Sequence, residues 1–407
     1  MSEKNAFSIG EIARVIGGGT PTRSNSEFYD GEIPWVTPKD MKRWWISDSQ
    51  IRITESGLEQ SSARLAPERS VLVVVRSGVL KHTLPVAIAR RAVAINQDMK
   101  ALICSASVEP GFLAYFIKWR SPEILQWVRA TTADNFSFSK LLEMAIPLPS
   151  LDKQRRVVSL LDQVESLRAK RRAAIALLDE LAQSIFLDMF GDPVANPKQW
   201  GKLALAEILE RIDSGKSPVC LERPAELDEW GVLKLGSVTQ CVFLPEENKA
   251  LKEESYTVDH EVKAGDLLFT RKNTPELVAA VAYVRNPRPR LLLPDLIFRL
   301  VPKADAPVSK VFLHGLLAFP TQRRKVRALA SGSALSMSNI SKAKLLKLEV
   351  PLPPVDLQRS YARQIDAIEG LKQRHQAHLA ELDALFASLQ DRAFRGTLWT
   401  EESAPVA

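Results

Sequence analysis

Long apolar runs are missing from this 407-residue sequence. The densest stretches, Val71–Val75 and Leu291–Leu293, fall far below the ~18 residues that span a bilayer, which excludes a helical membrane protein. Met1–Asn5 is polar and no apolar signal core follows it, so the expected location is cytoplasmic. Cysteine is scarce. Cys104, Cys220 and Cys241 lie too far apart for the paired spacings of zinc or redox sites, and they predict buried, reduced thiols.

Catalytic signatures are equally thin. Gly215-Lys-Ser217 ends like a phosphate-binding loop, but the glycine needed five residues before Gly215 is Glu210, so no cradle can form. No Gly-x-Gly-x-x-Gly occurs. Neither Asn196-Pro197 nor Asn286-Pro287 continues into the Pro-Tyr or Pro-Phe of an amino-methyltransferase, and Glu247-Asn-Lys249 lacks the Pro-Asp that precedes a nuclease Glu-x-Lys. His375 and His378 share a helical stretch without the thiolates or carboxylates that would complete a metal site. The expectation is a chain with no catalytic residues, no metal and no cofactor of its own. Its 55 basic and 48 acidic residues leave a net charge of +7, which is compatible with nucleic acid without requiring it.

What the sequence does have is repetition. Lys140-Leu-Leu-Glu-Met-Ala-Ile-Pro-Leu-Pro149 returns as Lys344-Leu-Leu-Lys-Leu-Glu-Val-Pro-Leu-Pro353, an offset of 204 that holds without a gap to Phe190 and Phe394. Of these 51 aligned pairs 19 are identical, among them Asp152/Asp356, Gln154/Gln358, Asp162/Asp366 and Asp179/Asp383. A fainter echo aligns Ile9–Gly19 with Leu205–Gly215 at an offset of 196, and Leu72–Arg76 resembles Leu267–Arg271.

The well-kept segment reads as a long helix, entered after Pro147 and Pro149 with Asp152 as N-cap and closed by Gly191-Asp-Pro193. Val157, Leu160, Val164, Leu167, Arg171, Ala174, Leu178, Leu181 and Ile185 form a seam of period 3.5. The second copy offers Tyr361, Gln364, Ile368, Leu371, His375, His378, Leu382, Leu385 and Leu389. Two such rods in one chain predict an antiparallel pair with Arg171 and His375 facing each other at its centre.

The remaining halves read as α+β. Strands are expected at Val71–Arg76, Pro85–Ala89, Leu267–Arg271, Val278–Val284 and Leu296–Val301. Helices are expected at Phe7–Ile16, Phe112–Val128, Leu205–Ile212 and Val311–Leu329, with a short frayed tail after residue 398. Basic residues mixed with hydroxyls, amides and aromatics recur in both halves. Lys39, Lys42 and Arg43 stand among Trp35, Trp44 and Trp45; Arg76, Ser77 and Lys81 follow one strand, and Arg271, Lys272 and Asn273 follow another. Such residues at strand exits suit phosphate and base-edge contacts, though a solvated turn would look the same.

The twice-repeated Pro-Leu-Pro-x-x-Asp-x-Gln-Arg leading into a heptad helix resembles the specificity subunit of type I restriction–modification systems. Gly17-Gly-Gly-Thr-Pro-Thr22 with Ile33-Pro-Trp-Val-Thr-Pro-Lys-Asp40 looks like the opening of that family's first recognition domain, and Phe190-Gly-Asp-Pro193 like its exit from the first helical region. Lys153 and Leu357 stand where the family often has Glu. The resemblance implies two target-recognition domains (1–146 and 193–350), two spacer helices (147–192 and 351–398) packed as an antiparallel coiled coil, and a tail (399–407). It also implies binding of double-stranded DNA with a bipartite target, and docking of two methyltransferase subunits that carry S-adenosylmethionine. Restriction subunits would carry ATP and Mg. The competing expectation is a two-headed protein-interaction scaffold with no DNA specificity.

Overall fold

The computed structural model describes residues 6–129, 134–252, 258–331 and 337–398; Met1–Asn5 and the tail from 399 lie outside them. The repeated segments form two helices of 40 residues, Leu151–Phe190 and Val355–Phe394, each about 60 Å long. The first begins earlier than its sequence suggests: Gln154 N–H already bonds the carbonyl of Ser150, so Asp152 lies in the first turn, where a carboxylate complements the helix dipole, and not at the cap. Gly191 and Gly396, both at φ +76°, take the left-handed conformation that ends a helix cheaply. After Gly191, Asp192 Oδ1 accepts from the N–H groups of Val194 and Ala195 and turns the chain away.

The chain forms two compact units, Met1–Arg172 with Ala377–Ala407, and Ala173–Gln376. Each holds one globular half and part of both long helices. In the first unit Arg168 Nε bonds Asp383 Oδ1 at 2.6 Å while its guanidinium lies 4.6 Å over the Phe386 ring and also pairs with Glu165. In the second, Lys372 Nζ meets Asp179 at 2.6 Å and Glu369 at 3.2 Å. Rising numbers meet falling ones in both units, so the helices pack antiparallel. The two trios are the same trio at the offset of 204. Within the first unit the numbers of the cross-helix pair Arg168 and Asp383 add to 551, which puts Arg171 opposite Ala380 and not opposite His375.

The seam differs from its sequence reading at every second position. The less exposed line on the first helix runs Gln154, Val157, Leu161, Val164, Arg168, Arg171, Ile175, Leu178, Ala182, and on the second Gln358, Tyr361, Ile365, Ile368, Lys372, His375, Leu379, Leu382, Phe386. Leu167, Leu181, Leu371 and Leu385, expected inside, are exposed. A hydrophobic tally favours Leu167 over Arg168, but it cannot see that Arg168 has a ring to lie on and a carboxylate to meet across the seam.

The globular halves share one topology. In the first, the antiparallel sheet orders Ala13–Gly17, Met99–Cys104, Val71–Val74 and Val86–Ala89, extended by the parallel strand Trp45–Ile46; in the second it orders Leu209–Ser214, Ile297–Pro302, Leu267–Thr270 and Val281–Tyr283. A second sheet in each has one parallel pair, Tyr29–Val36 with Val93–Ile95 and Gly231–Leu233 with Leu291–Leu292. The expected helices Phe7–Ile16 and Leu205–Ile212 shrink to single turns, Ile9–Ile12 and Leu205–Ile208. The residues after each turn become a strand because the open edges of Met99–Cys104 and Ile297–Pro302 offer a ladder. A bulge between Leu209 and Arg211 inserts one residue, so the echo shifts from an offset of 196 to 197. The helices Pro110–Trp119 with Ser121–Gln126, and Lys310–Ala318 with Pro320–Arg327, cover equivalent faces, close to where the apolar periodicity places them.

The repeated glutamine ties each globular half to its helix. Gln154 is fully buried; its Oε1 accepts from Glu109 N at 2.9 Å, and its Nε2 donates to the carbonyls of Ser107 at 3.0 Å and Pro149 at 2.8 Å. Gln358 makes the same three bonds, from Ser309 N at 2.8 Å and to Pro307 at 3.0 Å and Pro353 at 2.8 Å. Aromatic packing reinforces both joints: Phe394 against Phe112, Phe116 and Trp119, and Phe190 against Phe312 and Tyr361.

Candidate nucleic-acid interface

In the first unit Lys39 of the tryptophan-rich segment and Arg76 and Ser77 of the strand exit line one cleft of about 820 Å³. Lys39 comes from a turn that Asp40 organises: its Oδ2 accepts from Thr37 N and Oγ1, both at 2.8 Å, and its Oδ1 from Gln50 N at 2.9 Å. Trp35 is buried and donates Nε1–H to the carbonyl of Gly19 at 3.0 Å. Arg76 leaves the strand Val71–Val74 and its Nε bonds Asp98 Oδ1 at 2.6 Å. Asp98 Oδ2 accepts in turn from Asn96 Nδ2 at 3.1 Å. Both carboxylates of the cleft are thus engaged, while Arg23, Lys39 and Arg76 line it and are exposed.

The other candidates lie nearby with different duties. Ser77 also lines the cleft, and its Oγ caps the turn Gly78–Lys81 by accepting from Val79 N. Lys81 Nζ is 3.9 Å from Asp134 Oδ2 and largely exposed. Lys42 and Arg43 are exposed, carry no ion pair among the described residues, and do not line the cleft.

The second unit repeats the arrangement with other side chains. Arg271 leaves Leu267–Thr270, and its Nε donates to the carbonyl of Asp295 at 2.7 Å; its guanidinium lies 5.4 Å over Phe298, and Nη1 reaches Asn339 Oδ1 at 3.4 Å. Asp98 and Asp295 occupy equivalent places, just after the parallel strand of the second sheet. Thr20 Oγ1 bonds Gln97 in the first unit, and Ser217 Oγ bonds Asp295 in the second. Gly18 and Gly215 precede them, each so close to a neighbouring strand that a Cβ would run into a carbonyl oxygen, of Asn96 or of Leu293. Gly215-Lys-Ser217 is therefore the second copy of the Gly-Gly-Thr turn, which explains why a phosphate-loop ending appears without the loop. Lys272 is half-buried in the short strand Lys272–Asn273, paired with Ser338–Asn339. Asn273 is 6% exposed; its Oδ1 accepts from Thr274 N, so it builds the turn and does not face solvent.

Residues 1–177 match the family model described as the type I restriction modification DNA specificity domain. The chain is 36% identical over 162 residues to the specificity subunit of the type I restriction enzyme EcoR124I/EcoR124II of Escherichia coli, 39% of this chain and 40% of that one. It is 28% identical over 229 residues to the MjaIX specificity subunit of Methanocaldococcus jannaschii, 51% of this chain and 52% of that one. The matched stretch thus spans about half or less of these relatives' length. The crystal structure of a type I restriction–modification S subunit from M. genitalium shares the fold over 97% of both chains, with a TM-score of 0.59 and 13% identity. The first 177 residues are thus similar to the type I restriction–modification DNA specificity domain, and the fold of the chain is similar to that of a solved S subunit.

The described residues hold no group of three or more His, Cys, Asp or Glu placed to bind a metal ion, and no helix long and apolar enough to cross a membrane. The three cysteines are free and half-buried, more exposed than expected. Desolvation pushes the Cys104 thiol up to about 12, far from a reactive thiolate. Sequence reasoning missed Arg23, Gln50, Asn96 and Gln97 in the first cleft. Only the echoed glycine turn, read as a repeat and not as a failed phosphate loop, could have pointed to the Thr20–Gln97 and Ser217–Asp295 contacts.

Proposed function

We propose that this chain is the non-catalytic DNA-reading subunit of a type I restriction–modification complex. Each globular half reads one part of a bipartite duplex target, and the paired helices space the halves and dock two methyltransferase subunits. S-adenosylmethionine belongs to those partners, and ATP with Mg to the restriction subunits of a cleaving assembly. The observation that carries the reading is the arginine placed twice at the same strand exit and braced twice by the same segment, Arg76 by Asp98 and Arg271 by Asp295. An arginine held by Nε keeps its terminal amino groups in a fixed plane, the geometry that matches the O6 and N7 acceptors of guanine. Lys39, Lys42, Arg43, Lys81 and Lys272 supply phosphate contacts around these readers. Ser77 and Asn273 shape the turns that present them.

Arg76→Ala is expected to weaken binding to the cognate duplex by ~1–3 kcal/mol and to relax preference at one position of one half-site; Arg271→Ala should do the same in the other half. Lys39→Ala should weaken all duplexes alike. Fluorescence anisotropy against the target and single-base variants separates the two behaviours. Wild-type affinity in both arginine variants would remove them from the interface, and a chain with no salt-sensitive duplex binding would favour the protein scaffold instead.

A further inference from the structure

The helix Pro320–Arg327 of the second unit has the sequence Pro-Thr-Gln-Arg-Arg-Lys-Val-Arg, four cations in eight residues and no acid. Gln322 and Val326 are its buried side. Arg323 Nη2 donates to the carbonyl of Leu277 at 3.4 Å, and Arg327 to that of Glu276. These bonds fasten the helix to the loop Thr274–Leu277, which continues directly from Arg271, Lys272 and Asn273 at the strand exit. Neither arginine lies within ion-pair distance of a carboxylate among the described residues, though Glu276 is near Arg327. Arg324 and Lys325 are exposed and have no ion pair among the described residues. Burial and the charges of Arg323 and Arg324 push the Arg327 guanidinium down, opposed by Glu276, the nearby carboxylate.

The counterpart in the first unit is different. Ser121–Gln126 follows its preceding helix in the same way, but reads Ser-Pro-Glu-Ile-Leu-Gln, with no Lys or Arg, and Glu123 pairs with Arg120 just before it. The cationic face is therefore not needed by the fold, which forms without it in the other half. Like charges on adjacent turns repel and cost stability unless something answers them.

We propose that Pro320–Arg327 is a clamp on the phosphate backbone: Arg324 and Lys325 contact the DNA strand flanking the half-site read by the second unit, without reading bases. The inference rests on the DNA-reading function proposed above. It makes the two heads unequal, the second holding DNA by charge more than the first.

The test uses the full chain carrying Arg324→Gln with Lys325→Gln, exposed changes to a residue of similar helix propensity. Duplex affinity is measured between about 0.05 and 0.2 M salt, where phosphate contacts dominate the salt dependence. The slope of log K against log salt should become shallower by about 2. Affinity at the lower salt should fall roughly tenfold or more, equally for cognate and scrambled duplexes. A duplex with only the second half-site should show the loss, and one with only the first should not. Arg324→Glu with Lys325→Glu should weaken binding further. Unchanged slope and affinity in both variants would overturn the clamp while leaving the DNA-reading function standing, and so would a loss confined to one base position. Absence of salt-sensitive duplex binding in the unaltered chain would instead overturn the function and the clamp together.

Discussion

Replacing Gln154 by leucine is expected to destabilise the first unit by ~3 kcal/mol, and Gln358→Leu the second by a similar amount. Leucine nearly matches glutamine in volume, so packing loss is small. What it leaves behind is one backbone N–H and two carbonyls, each without the partner seen at 2.8–3.0 Å and each in a joint where the replaced side chain is fully buried. An unsatisfied buried polar group costs ~1–3 kcal/mol, and water reaching one of the carbonyls would reduce the sum. For units of this size that loss lowers the melting temperature by roughly 6–12 °C, measurable by differential scanning calorimetry. Gln154→Glu should be no milder, because a second acceptor would face the carbonyls of Ser107 and Pro149. Equal effects of the two leucine variants would show that the repeat preserves a joint and not merely a helix start. A loss below ~1 kcal/mol in both would mean that water replaces the amide and that the joint is held by its aromatic packing.

The second large effect concerns distance. Removing Ala169–Ile175 and Gln373–Leu379 together deletes one heptad from each helix. The antiparallel register fixes this choice: Arg168 keeps Asp383, Lys372 keeps Asp179, and the seam stays in phase on both sides of the cut. Seven residues at ~1.5 Å remove about 10 Å of helix. Against a base-pair rise of ~3.4 Å, the non-specific spacer between the half-sites should contract by roughly two to three base pairs while both half-sites keep their sequence. Mapping the preferred duplexes of a folded, DNA-binding deletion variant checks this. An unchanged spacer would show that the helices do not set the separation.

The parts of the fold that were legible in the sequence are those specified locally. The two helices announce themselves through prolines before, glycines after and a heptad period between, and the strand centres Val71–Val74 and Leu267–Phe269 are continuous apolar runs. Features decided by distant partners were not legible. Ala13–Gly17 carries a helix-like pattern and becomes a strand only because the edge of Met99–Cys104 lies beside it. Gln154 and Gln358 stand out as an identical pair, yet their role depends on carbonyls up to 51 residues away. The seam shift has the same origin, since Arg168 belongs inside only where Phe386 and Asp383 receive it. For the candidate site, Lys39, Arg76 and Arg271 could be picked out as basic residues at turns and strand exits. The braces that orient them, Asp40, Asp98 and the carbonyl of Asp295, could not be read from spacing.

The most direct test of a two-headed DNA reader is selection of preferred duplexes from a random pool by the full chain. The account predicts two conserved blocks separated by a fixed run of unconstrained bases, with Arg76→Ala degrading one block and Arg271→Ala the other. A single conserved block, or no enrichment at any salt concentration, would contradict it.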